Sequence, residues 1–376
     1  VIYLDHNATT PVLPEVFEAM KQFFTESWGN PSSSYRFGSE LKGAIEVARG
    51  QVAELIGARA SEIVFTGNAT ESNNAAIHAA LRANPKRRHI VTSQVEHSSV
   101  LNYCMAMEKE GYRVTYLPVD REGLLKIADL ENAITDETAI VSLMWANNET
   151  GVLFQVTEIA RLCKARGVLY HCDAVQAAGK LAVDVSQVPA DYLSITGHKF
   201  GAPKGVGALY IHRKAPFSPL LCGGHQERGR RGGTENVAQI VGLGVAAQMA
   251  KKRLSGFDSK VRAFRDELEI AILCSVPETE LNGHKTHRTA NTTNLTFRGV
   301  ESEALLLLLD QAGICASSGS ACLADSEEPS HVVKAMKPDT TASRQMVRFS
   351  LSAANTRKEI ESVVATLKQS VAALRG

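Results

Sequence analysis

The chain has 376 residues, too many for one core of ordinary size, and a soft prior of ~150 residues per domain suggests two or three domains. Apolar residues make up 44%, enough to build real cores, while 41 Lys plus Arg against 40 Asp plus Glu leave a formal charge of +1. That balance gives no electrostatic case for a nucleic-acid or acidic-membrane partner. No apolar run approaches the roughly 18 residues of a membrane span, and Val1-Ile2-Tyr3-Leu4-Asp5 reads as a strand rather than a signal peptide. A soluble, cytoplasmic protein is the expectation. The cysteines number seven, an odd count, and form no Cys-x-x-Cys pair, which argues against a disulfide framework and a zinc ribbon, so no metal is expected. Cys104, Cys163 and Cys274 read as small buried hydrophobes.

In chain order, Pro14 to Ser27 reads as a helix with Phe17, Met20 and Phe24 on one face. Ser39 to Ile56 is a second helix, with Ser39 as a cap and Gly57 as its stop. Glu62 to Thr66 is a short apolar strand, and Thr70 to Leu81 is helical. The strand His89 to Thr92 leads to a helix from about Ser98. Arg113 to Val119 is extended, Ala139 to Met144 is a buried strand, and Val156 to Arg166 is a helix. Val168 to Cys172, Tyr192 to Thr196 and Gly207 to Ile211 are strands. Continuous apolar strands between amphipathic helices imply a mostly parallel sheet covered on both faces, with ligands at the carboxyl ends of the strands. Beyond about 255 the pattern changes. Helices near 255–274 and 356–374 flank the strands Thr293 to Phe297 and Val347 to Leu351. The expected organisation is a large domain, 14–254, and a smaller α+β domain built from 1–13 and 255–376.

Several polar groups follow directly after predicted strands. Gly67-Asn-Ala-Thr70 lies between a strand and a helix, where backbone N–H groups and the helix dipole favour an anion. Asp173 closes a strand, and Gln176 follows. A helix cap is the plain alternative for Asp173. As a functional group, it would keep a pyridine nitrogen protonated and make the ring an electron sink, with Gln176 placed to hydrogen-bond a phenolic oxygen. Lys199 sits after an apolar strand and before Gly201-Ala-Pro-Lys-Gly-Val-Gly207, a loop that lets backbone approach closely. A lysine desolvated there can lose its proton and form a Schiff base. The glycines match neither a dinucleotide fingerprint nor a P-loop. His97, just past a strand, reads as a proton carrier at the same sheet edge.

Cys322 lies in the small, polar stretch Ala316 to Glu328, where packing does not explain a thiol and reactivity does. Arg348 lies inside the apolar strand Met346 to Leu351. An inward arginine needs an anion, and a carboxylate matches its fork.

These residues resemble the cysteine desulfurases of the nitrogen-fixation and iron–sulfur-cluster type. The resemblance rests on Tyr3-Leu-Asp-His-Asn-Ala-Thr-Thr10, Gly67-Asn-Ala-Thr-Glu-Ser72, Glu96-His97, Ala146-Asn-Asn-Glu-Thr-Gly151 and His171-Cys-Asp-Ala-Val-Gln176. It continues through Gly197-His-Lys199, Gly223-Gly-His-Gln-Glu-Arg228, Arg231-Gly-Gly-Thr-Glu-Asn236, Ser318-Gly-Ser-Ala-Cys322 and Arg348-Phe-Ser350. These segments run nearly end to end and in order.

The resemblance implies a homodimer of the fold type I of pyridoxal-phosphate (PLP) enzymes, acting on L-cysteine and passing sulfur to an iron–sulfur scaffold or other acceptor. It implies Lys199 as the Schiff-base lysine, Asp173 against the pyridine nitrogen, Gln176 against the phenolic oxygen, and His97 stacked on the ring. It implies Ala69, Thr70, Thr196 and His198 around the phosphate, with Thr234 reaching the phosphate of the neighbouring subunit. Asn148, beside the cofactor, and Arg348 would hold the substrate carboxylate, and Cys322 would become the persulfide. Three features depart from the pattern: His6 replaces a common Asn and is given no role, Thr196 replaces a frequent Ser, and Leu323 to Glu328 is unusually acidic and apolar.

A selenocysteine lyase, or another PLP lyase or aminotransferase, would share this scaffold, although a transaminase needs no Cys322. A non-catalytic sulfur or cluster carrier leaves Lys199, Asp173, Gln176 and His97 unexplained together.

Overall fold

Period-2 alternation places successive strand residues on opposite faces of a sheet, so a strand apolar on both faces needs a layer on each side. In the computed structural model, which describes residues 1–319 and 329–376, seven strands build such a sheet, with its edge strand Arg113–Leu117 partly exposed. Their order across the sheet is Ile63–Thr66, Gly207–Ile211, Tyr192–Thr196, Leu169–Asp173, Thr138–Ser142, His89–Ser93 and Arg113–Leu117. Neighbours pair in parallel except at Gly207–Ile211, which runs against both strands beside it.

Phe65, Val91, Val141, Tyr170 and Leu193 point into one core, shared with Ile45, Val52 and Ile159 of the helices Leu41–Leu55 and Val156–Ala165. Val64, Ile90, Ile140, Tyr192 and Leu209 point into the other, against Ile77, Ala80, Val100 and Cys104 of the helices Ala69–Ala83 and Ser98–Lys109. The doubly covered, mostly parallel sheet expected from the apolar runs is present.

Gly207 shows why that antiparallel strand can begin where it does. A Cβ there would lie 2.9 Å from the carbonyl carbon of Asn68 and 2.9 Å from the carbonyl oxygen of Ile195. Only glycine lets this strand end stand beside the turn that opens the helix Ala69–Ala83.

A second core forms around the antiparallel strands Met346–Ser350, Thr292–Phe297 and Thr279–Leu281. Phe297, Val347 and Phe349 pack there with Ile360 and Leu367 of the helix Arg357–Arg375. The expected helix near 255–274 is part of one 39-residue helix, Val237–Ser275. Ile240, Leu243 and Ala247 pack in the first core, while Val261, Leu268 and Ile272 pack in the second. One continuous helix therefore serves both cores, and the change from one to the other falls inside it. Ile2–Tyr3 pairs in parallel with Ile314–Cys315, and the chain then crosses to the large sheet, where the Thr10 N–H donates to the His198 carbonyl at 2.8 Å.

Two expectations need correction. Met20 is buried with Val16 in the helix Pro14–Thr25, but Phe17 and Phe24 are exposed, because the buried stripe runs through 16 and 20 instead. Cys104 and Cys163 are buried as expected, whereas Cys274 is exposed, near the end of the long helix.

The segment after residue 222 is held by a buried ion pair. Glu227, with φ 49°, accepts from Arg49 Nη1 and Nη2 at 2.7 and 2.8 Å and from the Phe65 N–H at 2.9 Å. Breaking a buried pair leaves an uncompensated charge and costs ~3–5 kcal/mol. Glu227→Ala is therefore expected to lower unfolding free energy by about that much in urea denaturation. An unchanged midpoint contradicts this assignment.

Candidate active site

The carboxyl ends of the parallel strands open on a cleft of about 190 Å³. Asp173 ends the strand Leu169–Asp173, and Thr196 ends its neighbour, followed by one 3₁₀ turn, Gly197–Lys199. His97 caps the helix Ser98–Lys109, and Ala69 and Thr70 begin the helix Ala69–Ala83. All of these, with Asn148, Gln176, His198, Lys199 and Arg348, line the one cleft. Residues as far apart in sequence as Ala69 and Arg348 converge there.

Gln176 was expected one helical turn after Asp173. The segment is instead a run of tight turns, with the Ala177 and Ala178 N–H groups both donating to the Ala174 carbonyl. The side chain still reaches the cleft. Asp173 is buried and accepts from Asn73 Nδ2 at 2.8 Å and from the Val175 N–H at 3.0 Å. Asn73 also donates to Ser99 Oγ at 2.8 Å, and Ser99 contacts His97 Nδ1 at 2.9 Å through its hydroxyl and 3.1 Å through its N–H. A backbone N–H can only donate, so His97 Nδ1 accepts and a neutral ring carries its proton on Nε2. Burial lowers the His97 pKa, Asp173 opposes that, and Lys199 and His331 add to it. Asp173, Asn73, Ser99 and His97 thus form one hydrogen-bonded chain along a wall of the cleft.

Lys199 Nζ donates to the carbonyls of Asn7 and Ala8 at 2.6 and 2.7 Å. His198 is pushed down to about 3 by burial, then by Lys199, Lys204 and His97, so it is neutral. Its Nδ1 meets Thr9 Oγ1 at 3.2 Å. Thr196 Oγ1 donates to the Val206 carbonyl at 3.1 Å. At the expected anion turn, the Gly67 N–H is already taken by Glu71 Oε2 at 2.7 Å, leaving Asn68, Ala69 and Thr70 as the part of the turn that lines the cleft. Thr234 lies outside the cleft, in an adjacent depression with Thr66, Gly67, Gly205 and Arg231.

Arg348 is buried, as its strand position required, and it has an anion within the chain: Asp5 Oδ1, 2.6 Å from Nη2. Its Nη1 donates to the Asn148 carbonyl at 3.0 Å. Arg348 Nε and Asn148 Oδ1 are buried with no partner among the described residues. Cys322 lies outside the described residues.

The cleft fits PLP chemically. It offers an amine, a buried carboxylate, an amide, a neutral imidazole, and hydroxyl and backbone groups at a helix N-terminus, with unpartnered polar atoms on Asn148 and Arg348. The sequence reading missed Asn73, Ser99, Asn7 and Asp5. Asp5 and Asn7 lie within a quoted segment, Asn73 adjoins one and Ser99 stands two residues past another, but only folding shows what each touches.

Glu96, next to His97, is buried, with Oε1 accepting from Ser93 Oγ at 2.8 Å and the Met144 N–H at 3.0 Å. Burial raises its pKa to about 8, with Asp173 adding to the rise. The folded protein therefore binds more protons than the unfolded chain between about pH 4.5 and 8, and stability falls as pH rises through that window. Glu96→Gln removes the titration. Relative to wild type, the variant is expected to gain roughly a few kcal/mol between pH 5 and 8.5 in denaturant titrations. A gap that stays constant with pH contradicts it.

The aminotransferase class-V family model matches residues 2–363. "Cysteine desulfurase 2" of Trichormus variabilis is 52% identical over 375 residues, covering 100% of this chain and 94% of the relative. "Cysteine desulfurase NifS" of Azotobacter vinelandii is 50% identical, covering 100% of this chain and 93% of the relative. A solved "NifS-like protein" superposes with a TM-score of 0.92 at 34% identity, covering 98% of each chain. A structure titled "SspA in complex with cysteine" gives 0.82 at 35% identity, covering 95% of this chain and 100% of that one. With the sheet, the cleft and these full-length matches together, the chain belongs to the aminotransferase class-V family, among the cysteine desulfurases.

Proposed function

We propose that the chain is a PLP-dependent enzyme that converts L-cysteine to L-alanine and leaves the sulfur as a persulfide on Cys322. From there it passes to an iron–sulfur scaffold or other acceptor in the cytoplasm. The observation that carries this reading is the convergence of Lys199, Asp173, Gln176 and His97 on one cleft. Full-length relatives named cysteine desulfurase support it.

When bound, the cofactor supplies an aldehyde and an electron sink. Lys199 would hold the cofactor through that aldehyde and would accept the substrate α-proton, with His97 as the other proton carrier. Asp173 holds a proton on the ring nitrogen, and Asn73 and the Val175 N–H keep its carboxylate aimed. His97, neutral because burial lowers its pKa, would lie against the ring. Ala69, Thr70, Thr196 and His198 hold the phosphate, the Thr196 hydroxyl turning away from Val206 to do so. Thr234, outside its own cleft, serves the neighbouring subunit of a homodimer. Asn148 and Arg348 bind the substrate carboxylate, through atoms that include the unpartnered Arg348 Nε.

Cys322 then attacks as thiolate. An S–S bond forms, the substrate Cβ–S bond breaks, and its electron pair stays on the three-carbon fragment, which gains protons and leaves as alanine. In this reading 14–254 carries the cofactor, while 1–13 and 255–376 carry the sulfur-accepting thiol.

The test is direct. Purified protein supplied with PLP, cysteine and a thiol reductant is expected to be yellow and to yield equimolar alanine and sulfide. Absence of alanine overturns the reading. Turnover of selenocysteine but not cysteine moves the chain to selenocysteine lysis.

A further inference from the structure

Lys180 is a long cationic side chain buried without a carboxylate among its hydrogen-bond partners. Burying such a group is costly unless its donors are used. Its Nζ lies 2.5 Å from Gln176 Oε1 and 2.8 Å from Asn7 Oδ1.

The orientation of both amides is fixed by groups that can only accept. Asn7 Nδ2 donates to the Asn148 carbonyl at 3.1 Å, so Asn7 Oδ1 faces Lys180. Gln176 Nε2 donates to the Asn7 carbonyl at 3.0 Å, so Gln176 Oε1 faces Lys180. Lys180 therefore donates to both, and one N–H of Gln176 Nε2 remains for the cleft that Gln176 lines.

We infer that Lys180 is a positioning residue. By holding Gln176 Oε1 it forces the amide to present N–H, rather than oxygen, to the phenolic oxygen of the bound cofactor. The inference rests on the PLP reading above and concerns a residue outside the cleft lining. Lys180 faces the cleft's other cationic groups, Lys199 and Arg348, and it also faces His6. Arg253 stands across a neighbouring cavity of about 350 Å³ that Lys180 and Lys199 also line. Burial, then the charges of Lys199 and Arg348, lower its pKa well below the ordinary lysine value. Either protonation state has the two N–H groups the geometry uses.

The physical consequence concerns the phenolic oxygen and the protons near it. An N–H aimed at that oxygen favours its anionic form, and an amide oxygen aimed there opposes it. Without Lys180, Gln176 Oε1 loses its donor, the Asn7 carbonyl alone still holds the amide, and the turned-over orientation gains population. The cofactor then keeps its neighbouring proton to higher pH.

The experiment is a pH titration of the visible absorption of the PLP-loaded protein. In Lys180→Met the midpoint is expected to rise by about one pH unit. In Gln176→Leu it rises similarly, and in the double variant it rises no further, because Lys180 acts through Gln176. Lys180→Gln, which keeps a donor in the same space, is expected to shift less than half as far and serves if the methionine variant does not fold. An unmoved midpoint in both Lys180 variants overturns the inference, and so does a double-variant shift equal to the sum of the single shifts. A wild-type protein with no visible band refutes the PLP reading instead, so the two failures are distinguishable.

Discussion

Replacing Lys199 with alanine is expected to abolish covalent attachment of PLP and to lower cysteine turnover by about 10³-fold or more. Lys199 Nζ is held by two carbonyl oxygens, Asn7 and Ala8, at one end of a cleft whose other walls carry Asp173 and His97. In the proposed mechanism alanine removes both the amine that would bond the aldehyde and the base that would take the α-proton. His97 does not replace it. Burial lowers its basicity, and Ser99 fixes its ring by donating to Nδ1. Borohydride treatment followed by peptide mapping is expected to label the Lys199 peptide in wild type and no peptide in the variant. A variant with the wild-type spectrum and label excludes Lys199 from this role.

Cys322→Ala is expected to abolish sulfide release from cysteine while leaving the cofactor's colour and its titration unchanged. In the proposed mechanism binding, proton removal and the electron sink belong to the cleft, and Cys322 enters only where the Cβ–S bond breaks. No cysteine lines the cleft, so no second thiol stands at the cofactor among the described residues. Cys104 and Cys163 are buried in the two cores of the large sheet, and burial raises each thiol to about 12, which leaves almost no thiolate at neutral pH. Cysteine-dependent sulfide release by the variant at the wild-type rate sinks the role of Cys322. Loss of colour shows that the substitution damaged the fold instead.

The legible parts of this protein were the local ones. Runs such as Tyr192–Thr196 and Gly207–Ile211 match the strands residue for residue, because strands buried on both faces carry no charged interruption. The polar groups at or just past the ends of parallel strands, Asp173, His97 and Lys199, could be picked out because a parallel sheet delivers strand ends to one edge. Local pattern misled where a periodic stripe did not settle which face is covered, as for Phe17 and Phe24.

Sequence alone thus determined the strand and helix alternation, the identity of the chemical groups, and their arrival at one sheet edge. Each follows from short-range periodicity and from the fixed direction of parallel strands. Tertiary structure alone decided who holds those groups. Asp5 pairs with Arg348 across 343 positions, Asn73 reaches Asp173 across 100, and Asn7 takes Lys180 across 173. Contacts of that separation form only when distant elements pack together, and no repeat or spacing along the chain encodes them.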